Sequence, residues 1–467
     1  MSDWLEARGG APPNSLDLLR HPGTIRLRCR AVLEAVDDQR SAWFRIDRSR
    51  LPETGARVAA LTRRRFPDLV VPPHSRWRHF EAGGVDRKAE LDAQLAGLGL
   101  AEATRARFDL TVVSVLLDAG AGEAWRYVDN KAVGAGEGGS YTRSEGLGVA
   151  TFRAFMAGRF SADARQPLRA DASRLAQLDA AALSEIFQVR ADNPMVGLEG
   201  RAALLARLGK GLAAVPAGSA GAGLPQRPGQ LYDRLGLAGE APPRRVSAAE
   251  LLLQVLRLTE GTFTQGSAVM GRPVGDVWAH RFAGAAVAGG GEDPVSIGVV
   301  PFHKLSQWLC YSLLEPLAWA GVEVHDRDRD HDRDRDGDGD GDSNSNSNGG
   351  GNHGKGVSRG MGLTGLPEYR NGGLLLDAGV IVPRDQRLLE RRFKPGDEPI
   401  VEWRALTVAL LDELAVEVRA QLGRSDSEMP LASILEGGTW AAGREIAAER
   451  RAGGTPPLSI DSDGTVF

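Results

Sequence analysis

Cysteine is almost missing from this 467-residue chain: Cys29 and Cys310 are the only two, and they lie far apart. That excludes a disulfide framework and any zinc site built from cysteines. A reducing, cytoplasmic setting is the expected one. Long apolar runs are missing too. The longest, near Leu309–Ala320, is broken by Glu315 and Pro316, short of the roughly 18–20 residues that a membrane span needs, so no membrane partner is expected. The opening MSDWLEARGG carries acid early and no apolar stretch, and does not read as a secretory signal. A surplus of one charge sign is also absent. The formal net charge is −4, and the segment Asp326–Asp342, with its alternating Asp, contributes more than all of it. A nearly neutral body lacks the basic stripe of a nucleic-acid binder. The densest basic cluster, Arg63-Arg64-Arg65, reads as a solvated helix end. What is present, 42% hydrophobic and 25% charged residues, is the balance of a globular chain with ample core.

The clearest discontinuity is HDRDRDHDRDRDGDGDGDSNSNSNGGGNHGKG, His325–Gly356, which has no apolar residue and nothing to offset its ordering entropy. It reads as a disordered acidic insertion. Its DxDxDG run from Asp334 needs an acid at the twelfth position to hold calcium, and Ser345 stands there. A second break, Pro216–Pro228, is rich in Gly, Ala and Pro. It divides an N-terminal helical part, residues 1–215, from a C-terminal one, residues 229–467, which the insertion 325–356 interrupts.

Apolar residues at three- and four-residue spacing predict helices over Ile25–Val36, Arg87–Leu98, Ala101–Leu117, Leu147–Met156, Leu175–Phe187, Leu198–Leu212, Ser247–Leu258, His303–Trp319, Trp403–Leu422 and Leu431–Arg450. Ser247 with Glu250 forms a capping box, and Pro316 interrupts or ends the helix it falls in. Strand signals are few: Leu69–Val71, Ile297–Val300, and Leu374–Val382 beside a turn-like Asn371-Gly372-Gly373. The expected fold is mainly α with small β elements and no βαβ alternation.

Familiar catalytic motifs are missing. There is no HExxH and no CxxC. The Gly134–Gly139 stretch lacks the Lys-Ser/Thr of a nucleotide P-loop, although its backbone N–H groups suit an anion. GVSRG, Gly356–Gly360, matches a nucleophile elbow in letters but has no strand before it. Denser chemistry lies elsewhere. Pro72–Glu81 packs two His, two Arg and two aromatics. Trp125–Lys131 and Ser140–Glu145 flank the glycines. Asp276–His280, Pro301–Lys304, Asp377 and Glu402-Trp403-Arg404 follow. Asp377 sits in an apolar run, where a charge needs a partner.

These segments carry a resemblance. VPPHSRWRHFEAGG, DNKAVGAGEGGSYTRSEGLGVATFRAF, VPFHKLSQWLCYSLLEP, LPEYRNGGLLLDAGV and VEWRALTVALLDEL resemble the fungal and bacterial uracil-catabolism family, once a domain of unknown function. The likeness covers nearly the whole chain outside the insertion and the Gly/Ala stretch. It implies a place in a ring-opening route of uracil breakdown. The implied reaction is hydrolysis of the N-glycosidic bond of a ribosylurea-type intermediate, with or without a 5′-phosphate, to urea and a ribose. More distantly, Leu178–Gly209 and the surroundings of Glu402-Trp403-Arg404 and Trp440 are similar to queuosine-salvage nucleoside glycohydrolases. Those have a helical, DNA-glycosylase-like architecture. Their catalytic Asp has no counterpart here, where Pro301-Phe302-His303-Lys304 stands.

A ribosyl C–N bond breaks through an oxocarbenium-like centre, so one group protonates the leaving nitrogen while a carboxylate steadies the cation or activates water. The candidates for acid are His303 and His79, and for carboxylate Asp377 and Glu402. Glu137 is a further carboxylate. Asp129 and Asn130 suit ribose hydroxyls. Arg76, Arg78, Lys131 and Arg143 suit a phosphate. Tyr141, Asp276, Lys304 and Arg404 complete the candidate binding set. The resemblance implies no metal and no cofactor. The partners it implies are a small nucleoside- or nucleotide-derived substrate and other uracil-catabolism enzymes. Another hydrolase of the same route, or a non-catalytic binding subunit, are the alternatives.

Overall fold

The computed structural model describes residues 15–130, 139–214, 226–239, 244–289, 291–325 and 362–461. The acidic insertion, the GVSRG motif, Lys131, Glu137 and most of the Gly134–Gly139 stretch lie outside these. In chain order the longer helices are α1 (Pro22–Asp37), α2 (Leu51–Arg65), α3 (Leu100–Leu116), α4 (Arg143–Met156), α5 (Leu198–Ala213), α6 (Ala248–Leu258), α7 (Lys304–Trp319), α8 (Tyr369–Asp377), α9 (Glu398–Leu422) and α10 (Trp440–Arg450). Among the described residues every sheet is a two-stranded pair, such as Phe44–Ile46 with Ile381–Pro383 and Val277–Ala279 with Val299–Pro301. The fold is therefore mainly α, as expected. No helix among the described residues is long and apolar enough to cross a membrane.

Helix α9 is the spine. Most of its length is buried, and it packs along α1 and α2. It starts at Glu398, before the expected Trp403, because Pro399 suits the first turn, and it stops at Gly423 in the left-handed conformation (φ 64°). Helix α7 lies on α3 and α6, and α8 lies on α10. One apolar cluster runs through Val58, Phe108, Leu313 and Leu410. Residues on both sides of Pro216–Pro228 thus share the same core.

Four local differences have physical causes. Pro316 neither breaks nor ends α7. It removes the N–H that Ser312 O would accept, and the Trp77 indole donates there instead at 3.1 Å. Leu374–Asp377 is helix, not strand. The Glu368 side chain caps α8 by accepting from Arg370 N and Asn371 N, which draws Asn371-Gly372-Gly373 into the first turns. Only Ile381–Pro383 is extended. Leu69–Val71 is no strand: Leu69 turns left-handed (φ 59°), and Val71 O accepts from Ser433 Oγ at 2.9 Å. The Leu175–Phe187 helix is split, because Asp179 caps a fresh start at Ala180.

The α8–α10 crossing depends on Gly443, where a Cβ would come within 2.2 Å of Arg370 O. Gly443→Ala is expected to lower the unfolding free energy by about 1–3 kcal/mol, the usual range for overpacking. Gly97→Ala, which meets nothing within 4 Å, is expected to stay within about 0.5 kcal/mol. Urea denaturation of both variants checks this.

Candidate active site

The starts of α4, α7 and α8 open onto one cleft of about 1220 Å³. The loop after α3, the segment His74–His79 and the chain entering α10 complete its walls. Glu368 caps the start of α8 and Asp276 accepts from the first N–H of α7, whereas the start of α4 has no side-chain cap. A second recess, lined by Asp276 and His303, is only about 50 Å³ and too small for a ribosyl compound.

The centre of the cleft is built by an irregularity. Leu431–Arg450 is not one helix: Leu435–Thr439 forms a wider, π-helical turn between Leu431–Ile434 and α10. Such turns recur at functional sites because the extra residue redirects side chains. Gly438 lets this turn sit against α2, since a Cβ there would come within 2.6 Å of Val58. The turn aims Glu436 at Arg65 and His74. Its Oε1 accepts from Arg65 at 2.8 Å, and its Oε2 meets His74 Nδ1 at 2.9 Å. Arg65 is therefore not merely part of a solvated helix end. Burial alone would raise the Glu436 carboxyl, but His74 and Arg65 outweigh it and hold the group below its ordinary value.

An ionised Glu436 fixes a proton on His74 Nδ1. Nε2 then carries the lone pair, and it has no hydrogen-bond partner among the described residues. The ring stands between Trp308 and Trp440, with centroids 6.4 and 6.3 Å away. Lys304 and Trp308 share one face of α7, four residues apart. Across from them Glu368 caps α8. Burial pushes its carboxyl up, against the two backbone N–H groups, Lys304 and His74. A carboxylate-oriented imidazole beside a carboxyl of raised pKa is an arrangement suited to proton transfer.

Of the residues singled out in the sequence, His79, Arg78, Arg143 and Lys304 line this cleft. Arg76 is fully buried beside it, ion-paired to Asp118 at 3.0 Å. Burial, reinforced by Arg76 and His74, drives the His79 pKa well below its ordinary value, so His79 is neutral. Arg78 is held by Glu315 at 2.6 Å and Glu81 at 2.9 Å. Arg143 is exposed, in a left-handed conformation (φ 52°).

The others are not brought together. Asp377 binds Arg451 through both oxygens, at 2.7 and 2.5 Å, and it is Arg451 that faces the cleft. Glu402 is buried against Ser41 and lies 3.4 Å from His280. Arg404 clamps Asp276 with two 2.8 Å bonds. His303, its pKa pulled down to about 4 by burial, meets Leu19 O at 3.1 Å. Asp129 is buried between Arg87 and Arg153, and Arg87 also donates to the Tyr141 hydroxyl. Asn130, just after the strand Tyr127–Asp129, is exposed.

Glu436, Glu368, His74, Trp308 and Asp118 are not among the residues singled out in the sequence, although His74 lies in the dense Pro72–Glu81 segment. The usable signals were Glu436 before a Gly pair and Glu368 after a proline, a capping position.

Comparison with known proteins places this cleft in a family. The chain belongs to the family described as protein of unknown function, DUF1688. That family's model matches residues 18–331 and 354–467, which include every cleft residue named above and leave out the centre of the acidic insertion. The chain is 34% identical over 450 residues to Protein urg3 of Schizosaccharomyces pombe, covering 95% of this chain and 96% of that one. It is 32% identical over 484 residues to Uracil catabolism protein 4 of Lachancea kluyveri, covering 97% and 99%.

Glu436→Gln tests the centre. Because the folded carboxyl titrates below its ordinary value of 4.5, its pairing stabilises above that pH and is lost as pH falls through the folded value. The variant is expected to lose about 1–3 kcal/mol of unfolding free energy at pH 7. The difference should narrow steadily below about pH 4.5. Denaturant melts across that range measure it, and a gap that does not change with pH would contradict the pairing.

Proposed function

We propose that this chain acts in uracil catabolism, as the name of one relative suggests, and that it is a hydrolase of an N-ribosyl bond. Its substrate would be a ribosylurea-type intermediate, and its products urea and a ribose. The observation that carries the reading is the His74–Glu436 pair opening onto the cleft beside Glu368. In this reading His74 Nε2 takes a proton from water as the oxygen adds to the anomeric carbon. The C–N bond breaks, and Glu368, whose carboxyl burial pushes up, gives a proton to the departing urea nitrogen. Glu436 steadies the imidazolium. The Asp118–Arg76 pair and Lys304 orient the substrate. The earlier candidates Asp377 and Glu402 would then be structural, each committed to a partner.

The test is urea release from ribosylurea and its 5′-phosphate by purified protein without added metal. His74→Gln is expected to lower kcat by about 10²- to 10⁴-fold, the usual share of a general base, with the melting temperature nearly kept. Glu368→Gln should remove the limb of the pH–rate profile that falls at high pH. Asp377→Asn should retain kcat. Full activity in His74→Gln would remove the assignment. Substrate binding without turnover by the native chain would replace the enzyme with a binding subunit.

A further inference from the structure

Beneath the cleft wall lies a group of polar atoms with no hydrogen-bond partner among the described residues. Arg76 Nη2, His79 Nδ1 and Trp308 Nε1 are each buried without a hydrogen-bond partner. Asp118 Oδ1 contacts Arg76 Nη1 at 3.0 Å, yet it too lacks an aligned hydrogen bond. They belong together. The Arg76 guanidinium carbon is 5.8 Å from the Trp308 ring centre, and the His79 ring is 6.0 Å from it. Gly148 of α4 makes the room, since a Cβ there would lie 2.9 Å from His79 Cβ and 3.5 Å from Arg76 Cζ. Arg76 is otherwise well held, by Ser114 Oγ at 2.7 Å and Ser144 O at 3.2 Å. The unsatisfied atom is thus on a fixed group, not on a loose one. Each such atom left alone costs about 1–3 kcal/mol, and native chains rarely hold several side by side without a reason.

The pattern is mixed. Arg76 and Trp308 can only donate, Asp118 can only accept when ionised, and neutral His79 can offer a lone pair. A phosphate, all acceptor, would meet the Asp118 carboxylate. A ureido group matches: one carbonyl oxygen for the two donors, and N–H groups for Asp118 and His79. We propose that this recess is the subsite for the ureido group of the substrate, reached when the Trp308 indole turns in the cleft wall. The proposal rests on the ribosylurea reading above and names the part of the site that selects for it. Trp308 thereby becomes a specificity residue: its N–H has nothing to hold until the ligand arrives.

Trp308→Phe keeps the ring and removes only that N–H. It is expected to raise KM for ribosylurea about 3- to 10-fold, one hydrogen bond's worth. Affinity for ribose, which lacks the ureido group, should not change. The melting temperature should hold or rise, because no bond of the free protein is lost. An unchanged KM, an equal loss for ribose, or a fall in melting temperature would overturn the proposal. A second readout does not need turnover. Urea is titrated into ¹⁵N-tryptophan-labelled native protein, and the indole resonance that disappears in Trp308→Phe is followed. A saturable shift supports the recess even if no ribosylurea is hydrolysed, in which case only the reaction falls. No shift, with normal turnover, overturns the recess and leaves the reaction standing.

Discussion

The clamp of Arg404 on Asp276 is the contact on which the cleft depends. Arg404 is buried in the middle of α9 and stacks its guanidinium 4.1 Å from the Phe302 ring centre. Its two bonds to Asp276 hold the residue that precedes the strand Val277–Ala279. Asp276 in turn accepts from Lys304 N at 3.0 Å and from the Trp278 indole at 2.7 Å. Burial would raise the Asp276 carboxyl, but Arg404 and these donors hold it well below the ordinary carboxylate range. One ion pair therefore ties the spine of the fold to the first residue of α7. Lys304, Trp308 and the Ser312 carbonyl that receives Trp77 follow from there along a single helix face.

Buried charge is handled in two ways in this molecule. Some of it is matched: Asp129 with Arg87 and Arg153, and Asp377 with Arg451. Inside the cleft the matching is incomplete. Glu368 carries a raised pKa, His79 is neutral, and Arg76 and Trp308 hold N–H groups with no acceptor. Removing a charge from water without a full set of partners is costly, and titratable groups so perturbed in a cleft are candidates for chemistry.

Much of the fold was legible because long helices carry their own period. The regions of α1, α3, α7 and α9 follow from the spacing of their apolar residues. Helix α8 did not, since Leu374-Leu375-Leu376 has no period and a Gly pair reads as a turn. Its helicity comes from a cap, Glu368, and from Trp403, which needs Gly372 beside it. The site was less legible for a related reason. Asp377 was correctly seen as a charge that must be paired, but its partner Arg451 lies 74 residues away. Glu402 and Arg404, two residues apart, have partners in other segments and do not bind each other. Glu436 was invisible because a wider turn shifts every later side chain out of the regular helical phase. His74, by contrast, lay within the densest cluster of the sequence. What the sequence withheld was the acid that makes it useful.

The central claim is that the Glu436–His74 cleft holds the reaction. A crystal structure of the protein soaked with urea and ribose together tests it most directly. The account predicts the anomeric carbon facing His74 Nε2, within about 4 Å, and urea against Trp308, Arg76 and Asp118. Both products ordered elsewhere, with the cleft around His74 empty of them, would contradict it.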